Sequence, residues 1–297
     1  MSDIAVKQKD DGFASAKKQS SFKDVMIRLL HHPTGMIGLA IFLLMVLAGI
    51  FAPVLTPYGY NDINVMEAYQ GSSAAHLLGT DELGRDMLTR LLYGARYSIG
   101  LGVAAQAIRL VVGIALGSVA GYFGGKVDSV IMRFCDVWQS IPGQLMTVVL
   151  STVMGNGWIN TVIAMGIGGI PGNARMIRGQ LLSIREQEYV EAAVATNCGG
   201  FRILMKYMLP NAIQPMIVNT MMGIGGTITG AAGLSYLGLG VQPPTPEWGA
   251  MLTAGRAYIR KYPHMIGYPG LFLAVTVLAL NMLGDGLRDA MDPHTKK

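Results

Sequence analysis

Charge is what this sequence has least of. Aspartate, glutamate, lysine and arginine make up 14% of its 297 residues, where soluble globular domains carry about 25%. Apolar residues reach 51% and gather in long blocks, and the mean hydropathy is +0.41. That excludes an ordinary soluble domain and points to a membrane protein. Cysteine is scarce too. Cys135 and Cys198 follow neither a metal-ligand spacing nor CxxC, which argues against a structural metal or a redox dithiol. The five histidines show no paired-ligand spacing; His31 and His32 precede an apolar block and read as interfacial. A basic stripe with interleaved aromatics is also missing. The net charge of +5 is scattered between apolar blocks, so nucleic acid is not an expected partner. Finally, there is no ATP site. A P-loop needs GxxxxGK followed by Ser or Thr, so that backbone N–H groups cradle phosphates and a hydroxyl reaches the metal ion. The one Gly-Lys pair, Gly125-Lys126, has Ala120 in place of the first glycine and Val127 in place of the hydroxyl. With no nucleophile–base arrangement and no long extramembrane domain to hold a site, the chain is not expected to be an enzyme.

What is present is a series of apolar blocks. Residues 1–20 are polar and read as a disordered cytoplasmic tail. They are not a cleavable signal, because the first apolar run exceeds the usual ~7–15 residues. In SFKDVMIRLL, Phe22, Val25, Met26, Leu29 and Leu30 share one helical face, and Lys23, Asp24 and Arg28 the other. This predicts an amphipathic helix at the membrane surface. Six spans are predicted, near 35–55, 97–122, 132–154, 158–177, 211–236 and 265–284, the third and fourth interrupted by Pro142 and Pro171. With the N-terminus inside, sixteen lysines and arginines fall inside and six outside, while Arg109 lies mid-span. Both termini are therefore predicted to be cytoplasmic. The organisation expected is a tail at 1–20, an N-terminal region at 21–95, a transmembrane domain at 96–285 and a cytoplasmic tail at 286–297. Two long outside segments, 56–96 and 237–264, are expected to lie along the outer membrane surface, and the first carries an apolar stripe of Leu88, Leu91, Leu92 and Ala95. Gly155-Asn156-Gly157 reads as an outside turn.

One inside segment breaks the apolar pattern: EYVEAAVATNCGGFRILMKYMLPN, residues 188–211. Ile184–Thr196 reads as one short helix with Tyr189, Ala192, Ala193 and Thr196 on one face. Asn197, Gly199 and Gly200 supply a helix stop, since Asn and Gly tolerate a left-handed backbone. Phe201–Leu209 reads as a second short helix, and Pro210 fits the first turn of the next span. The unit is either a connector or a docking surface, on which two alanines allow close approach and Glu191 can pair with a partner arginine. Elsewhere, Gly113, Gly117, Gly121 and Gly125 recur every four residues. They make a smooth stripe for close packing, or for a helix that must slide against a neighbour. Arg109 lies four residues before that stripe and so faces away from lipid, where a charge costs at least ~2.5–3.5 kcal/mol. Asp128 and Asp136 flank the inner end of the third span near Arg133 and read as a local ion pair rather than a gate.

The segment 188–211 resembles the EAA loop of ABC importer permeases. Glu191, Ala192, Ala193, Leu209 and Pro210 match that pattern at the right spacing, while Asn197 and Tyr207 stand where it has Gly and Ile. HLLGTDELGRDMLTRLLYGAR, AGYFGGKVDSVIMR, GLSYLGLGVQPPTPEWGAML and LGDGLRDAMDP extend the resemblance from about 22 to 293. They are similar to the C-type permease subunits of peptide, nickel and opine importers. The resemblance implies an all-α integral membrane protein of the type I importer fold, in the plasma (inner) membrane of a prokaryote. It also implies a second, homologous permease, two ATPase subunits that bind ATP and Mg2+ and grip the EAA loops, and an extracytoplasmic binding protein that delivers substrate. Surrounding lipid is the remaining partner. The cargo expected is di- or oligopeptide, with nickel, metallophore or glutathione as the alternative. In that setting Arg109 either pairs inside the bundle with a carboxylate or backbone carbonyls, or faces the translocation path and attracts anionic groups such as a peptide carboxylate. A channel or an intramembrane enzyme is the remote alternative.

Overall fold

The computed structural model describes residues 22–291. The tail predicted at 1–20 lies outside them, as does the end of the tail predicted at 286–297. Among the described residues the fold is helical: α1 (Phe22–Leu30), α2 (Pro33–Ile50), α3 (Ala52–Leu55), α4 (Met87–Phe123), α5 (Gly125–Gln139), α6 (Gly143–Met154), α7 (Trp158–Gly168), α8 (Ile170–Arg185), α9 (Glu188–Ala195), α10 (Gly200–Arg202), α11 (Leu209–Tyr236), α12 (Trp248–Gly255) and α13 (His264–Met291). A π-helical stretch, Ile203–Met208, joins α10 to α11. Three helices, α2, α4 and α13, are long and apolar enough to cross a membrane, and α6 and α7 are shorter apolar helices.

Local chemistry sets the boundaries. The His32 side chain accepts from the Gly35 N–H at 3.2 Å and Pro33 opens α2. Asp86 accepts from the Thr89 N–H at 2.7 Å and starts α4, and Gly124 at φ +64° ends it. Such a 37-residue helix runs about 55 Å, well beyond a ~30 Å hydrocarbon core.

Several expectations are corrected here. Leu88, Leu91, Leu92 and Ala95 belong to no separate surface helix; they are the first turns of α4, and Leu91, Leu92 and Ala95 are buried. In the second outside segment, 237–264, α12 packs Trp248 and Met251 inside against α4 and α13 rather than on a membrane surface. The predicted third and fourth spans are each two helices. One breaks between Gln139 and Gly143 at Pro142, the other at Gly169. Proline removes a backbone donor and glycine removes side-chain packing, so both positions are weak points in an apolar helix. α13 continues to Met291, into the segment read as a tail. In α1, Val25 and Leu29 pack on Leu283 and Leu287 of α13, leaving Met26, Ile27 and Leu30 exposed.

Small residues set the tightest contacts. A Cβ at Gly38 of α2 would sit 2.6 Å from the Ala279 carbonyl oxygen of α13, and one at Gly113 of α4 2.5 Å from the Asn173 Cβ of α8. Gly117 and Gly121 continue that contact toward Ala174, Ile177 and Leu181. The fourth glycine of the stripe does not join it. Gly125 lies past the end of α4 at φ +54° with nothing near its Cβ position, because the left-handed Gly124–Gly125 turn has already redirected the chain. At the start of α4, residues 56–86 fold over the helices around buried charge. Asp81 meets Arg85 Nε at 2.7 Å and Arg90 Nε at 3.3 Å, and His76 Nδ1 lies 2.9 Å from Asp86.

Candidate functional site

The EAA-like segment sits at the far end of α4 from that loop. α9 is two turns long and ends in a complete Schellman motif. The Cys198 N–H reaches the Ala193 carbonyl at 3.1 Å, the Asn197 N–H reaches Val194 at 2.9 Å, and Asn197 itself is left-handed at φ +56°. The asparagine at the pattern's glycine position therefore makes the turn, with no shift to Gly199 or Gly200. Gly200 serves another purpose: the Tyr122 hydroxyl of α4 occupies the space its Cβ would need.

The helix differs from its sequence reading at both ends and in its buried face. Ile184 belongs to α8, and Phe201–Leu209 is no separate helix, since α10, the π-helical stretch and α11 run on continuously. Pro210, at the start of α11, offers no N–H to the preceding turn, and that seam is where the chain widens into π turns. Val190 and Ala193 are buried, while Glu191 and Ala192 are exposed. The buried pair joins one apolar cluster with Ile177 and Leu181 of α8, Ile203 and Met208 of the π-helical stretch, and Met216 of α11. Asn211 Nδ2 adds a polar tie, donating to the Tyr189 hydroxyl at 3.0 Å and to the Tyr207 carbonyl at 2.8 Å. α9 is thus fastened to α8 and α11 by its inner face and presents Glu191 and Ala192 outward. Leu209 is half-buried at the root of α11.

α8 carries the site toward the rest of the fold. Besides the glycine contact with α4, it holds α5 through two ion pairs. Arg178 donates to both Asp128 oxygens at 2.5 Å, and Arg175 donates to Asp136 at 2.5 Å. The Asp128 hydrogen bonds hold the Arg178 guanidinium above its usual pKa. The predicted local pair is therefore mainly a link between helices; Arg133 reaches Asp136 only at 3.9 Å.

Arg109 stands where α7 meets α8. Its Nε and Nη2 donate to the Met165 carbonyl at 2.9 and 2.7 Å. That oxygen is one of the acceptors a helix leaves over in its last turn, and a cation there also meets the negative end of the helix dipole. Gly169 makes room, because a Cβ there would collide with the Arg109 side chain.

Sequence reasoning passed over Glu247. Its side chain is fully buried, caps α12 through the Gly249 and Ala250 N–H groups, and accepts from Ser98 of α4 and Ser235 of α11. No local signal marked it: glutamate is not a favoured N-cap residue, Ser98 lies 149 residues away, and Ser235, though only 12 residues away, meets Glu247 only once α11 and α12 pack.

Three helices long and apolar enough to cross a membrane, packed through small residues, define the class as an all-helical membrane protein. Among solved structures, the MetNI methionine ABC transporter in inward facing conformations shares the fold. Its TM-score is 0.56 at 19% identity, over 69% of this chain and 97% of that one. Residues 113–297 match the binding-protein-dependent transport system inner membrane component family, and residues 20–71 match the N-terminal TM domain of oligopeptide transport permease C. Similar relatives include the oligopeptide transport system permease protein OppC of Bacillus subtilis, 39% identical over 95% of this chain and 93% of that protein. The dipeptide transport system permease protein DppC of Alkalihalophilus pseudofirmus is 39% identical over 93% and 91%. The glutathione transport system permease protein GsiD of Pectobacterium atrosepticum is 41% identical over 90% and 89%. The chain belongs to the binding-protein-dependent transport system inner membrane component family. It is a permease subunit of an ABC importer, a system that also has ATPase and substrate-binding components.

Proposed function

We propose that this chain forms half of the translocation path of a di- or oligopeptide importer, beside a second, homologous permease. α9 is the element gripped by one of two cytoplasmic ATPases, which bind ATP and Mg2+. An extracytoplasmic protein delivers the cargo. In this reading the chain crosses the membrane six times, by α2, α4, α6 with part of α5, α7 with part of α8, α11 and α13, with both termini inside. ATP binding closes the ATPase pair and displaces α9. The shared apolar cluster passes that displacement to α8 and α11. α8 then moves along the glycine face of α4 and takes α5 with it through the Asp128 and Asp136 pairs.

The observation that carries this is the split of α9 into two faces, Val190 and Ala193 buried and Glu191 and Ala192 exposed. The test is a pull-down of the tagged chain in mild detergent, with and without Glu191→Arg. The wild type should bring down a second permease and two ATPases, and the charge reversal should release the ATPases. Purification of the wild-type chain alone would overturn the importer assembly. A second cargo, glutathione, is favoured by relatives 41% and 42% identical that carry it in their names. Uptake of labelled peptide against labelled glutathione and nickel, in a strain lacking the chain, separates the cargoes.

A further inference from the structure

Beside α9 lies a cavity that no part of the described fold fills. It has a volume of about 490 Å³, within the roughly 300–1,000 Å³ of built binding sites. Its walls are apolar: Phe123 at the end of α4, Val190 and Val194 of α9, Ile203 and Met208 of the π-helical stretch. At its edge stand two opposite charges, Arg185 at the end of α8 and Glu191. Neither side chain makes an ion pair or a hydrogen bond among the described residues.

The surroundings say what kind of space this is. Arg185 and Glu191 at its edge are exposed, and so are Lys126, Glu186, Glu188, Arg202 and Lys206, each within three residues in the chain of a lining residue; a rim this charged opens to water rather than to hydrocarbon. Phe123 is nevertheless 65% exposed and Val194 60%. Large apolar side chains held at a watery concavity mark an interaction surface. An anionic lipid headgroup fits poorly, because Glu191 would repel it as Arg185 attracts it. A protein partner can answer both charges. The cavity is also continuous with the exposed face of α9, since Glu191 belongs to both.

We propose that this cavity receives an apolar side chain of the cytoplasmic ATPase. In the docked complex a carboxylate of that subunit faces Arg185 and a cation faces Glu191. This rests on the reading of α9 as the element gripped by the ATPase, and extends it. The grip is mutual: the permease helix enters the ATPase, and an ATPase side chain enters the permease. α4 then takes part in docking directly, through Phe123, and not only through its contact with α8.

The test uses the assembled importer, purified through the tagged chain, with the ATPases identified by mass and by ATP hydrolysis. Arg185→Glu and Phe123→Asp change the cavity edge from outside α9; both side chains are exposed, so the fold should persist. Each should weaken ATPase retention by about tenfold or more, as truncation of an interface anchor does. Glu191→Arg is measured in parallel. If both edge variants release the ATPases, the cavity is a docking site, whatever Glu191→Arg does. If Glu191→Arg alone releases them, the α9 reading stands and the cavity proposal is overturned. If no variant releases them, the cavity proposal and the role of Glu191 fall together.

Discussion

Asn197 shows how one backbone angle can carry a functional turn. At φ +56° a side chain normally crowds the following carbonyl, at about 1–2 kcal/mol, and asparagine is among the residues that tolerate it. Asn197→Gly should therefore leave thermal stability and ATPase retention near wild type. Asn197→Val should lower stability by roughly 1–2 kcal/mol and loosen the Schellman cap, read as a drop in melting temperature and in ATPase recovery. Arg109 is the other residue whose chemistry is now specific. Two of its three nitrogens are committed to the Met165 carbonyl. Arg109→Gln should cost about 1–3 kcal/mol, the range for an unsatisfied buried acceptor. Transport of peptides with free and with amidated C-termini should fall equally. A selective loss of the free-carboxylate peptides would instead put the guanidinium on the translocation path.

At the scale of elements, α8 connects the parts. Its glycine-lined contact with α4 leaves no room for a side chain: a Cβ at Gly121 would meet Leu181 at 3.0 Å, and Gly117 is tighter still. Gly117→Leu should cost at least about 1–3 kcal/mol of overpacking and uncouple ATP hydrolysis from uptake, measured together in proteoliposomes. The Asp128–Arg178 clasp is only partly shielded, with side chains 16% and 32% exposed. A double-mutant cycle should return a coupling of ~1 kcal/mol. The swap Asp128→Arg with Arg178→Asp should recover more transport than either single change.

For the whole molecule, the expected arrangement places Gly155-Asn156-Gly157 outside and α9 inside. Asn156→Cys, in a chain with Cys135→Ala and Cys198→Ser, should react with a membrane-impermeant maleimide added to intact cells. In the chain with its native cysteines, Cys198 should react only after the membrane is opened. Reaction of Cys198 from outside would invert the topology. The exposed apolar stripe of Val127, Val130, Phe134, Val137 and Ile141 also begins at the charged α9 end of the fold. The chain should accumulate stably only when its homologous permease is made with it.

The sequence by itself determined the class of protein. Long apolar blocks with few charges can satisfy their backbone only as helices in a membrane, and the spacing of Glu191, Ala192, Ala193, Leu209 and Pro210 marked the loop proposed here as the element the ATPase grips. Glycines every four residues announced a close contact on α4, although not which helix would fill it. Only the tertiary structure decided the rest. It joined the apolar stripe before the second span to that span as one helix, broke the third and fourth spans at Pro142 and Gly169, and carried α10 without interruption into α11. Window hydropathy measures transfer to lipid and is blind to such breaks and continuations. Asp136 finds Arg175 at a separation of 39 residues, Asp128 finds Arg178 at 50, Arg109 finds Met165 at 56 and Glu247 finds Ser98 at 149. No local period encodes such pairings. They follow from which helices the small residues allow to touch.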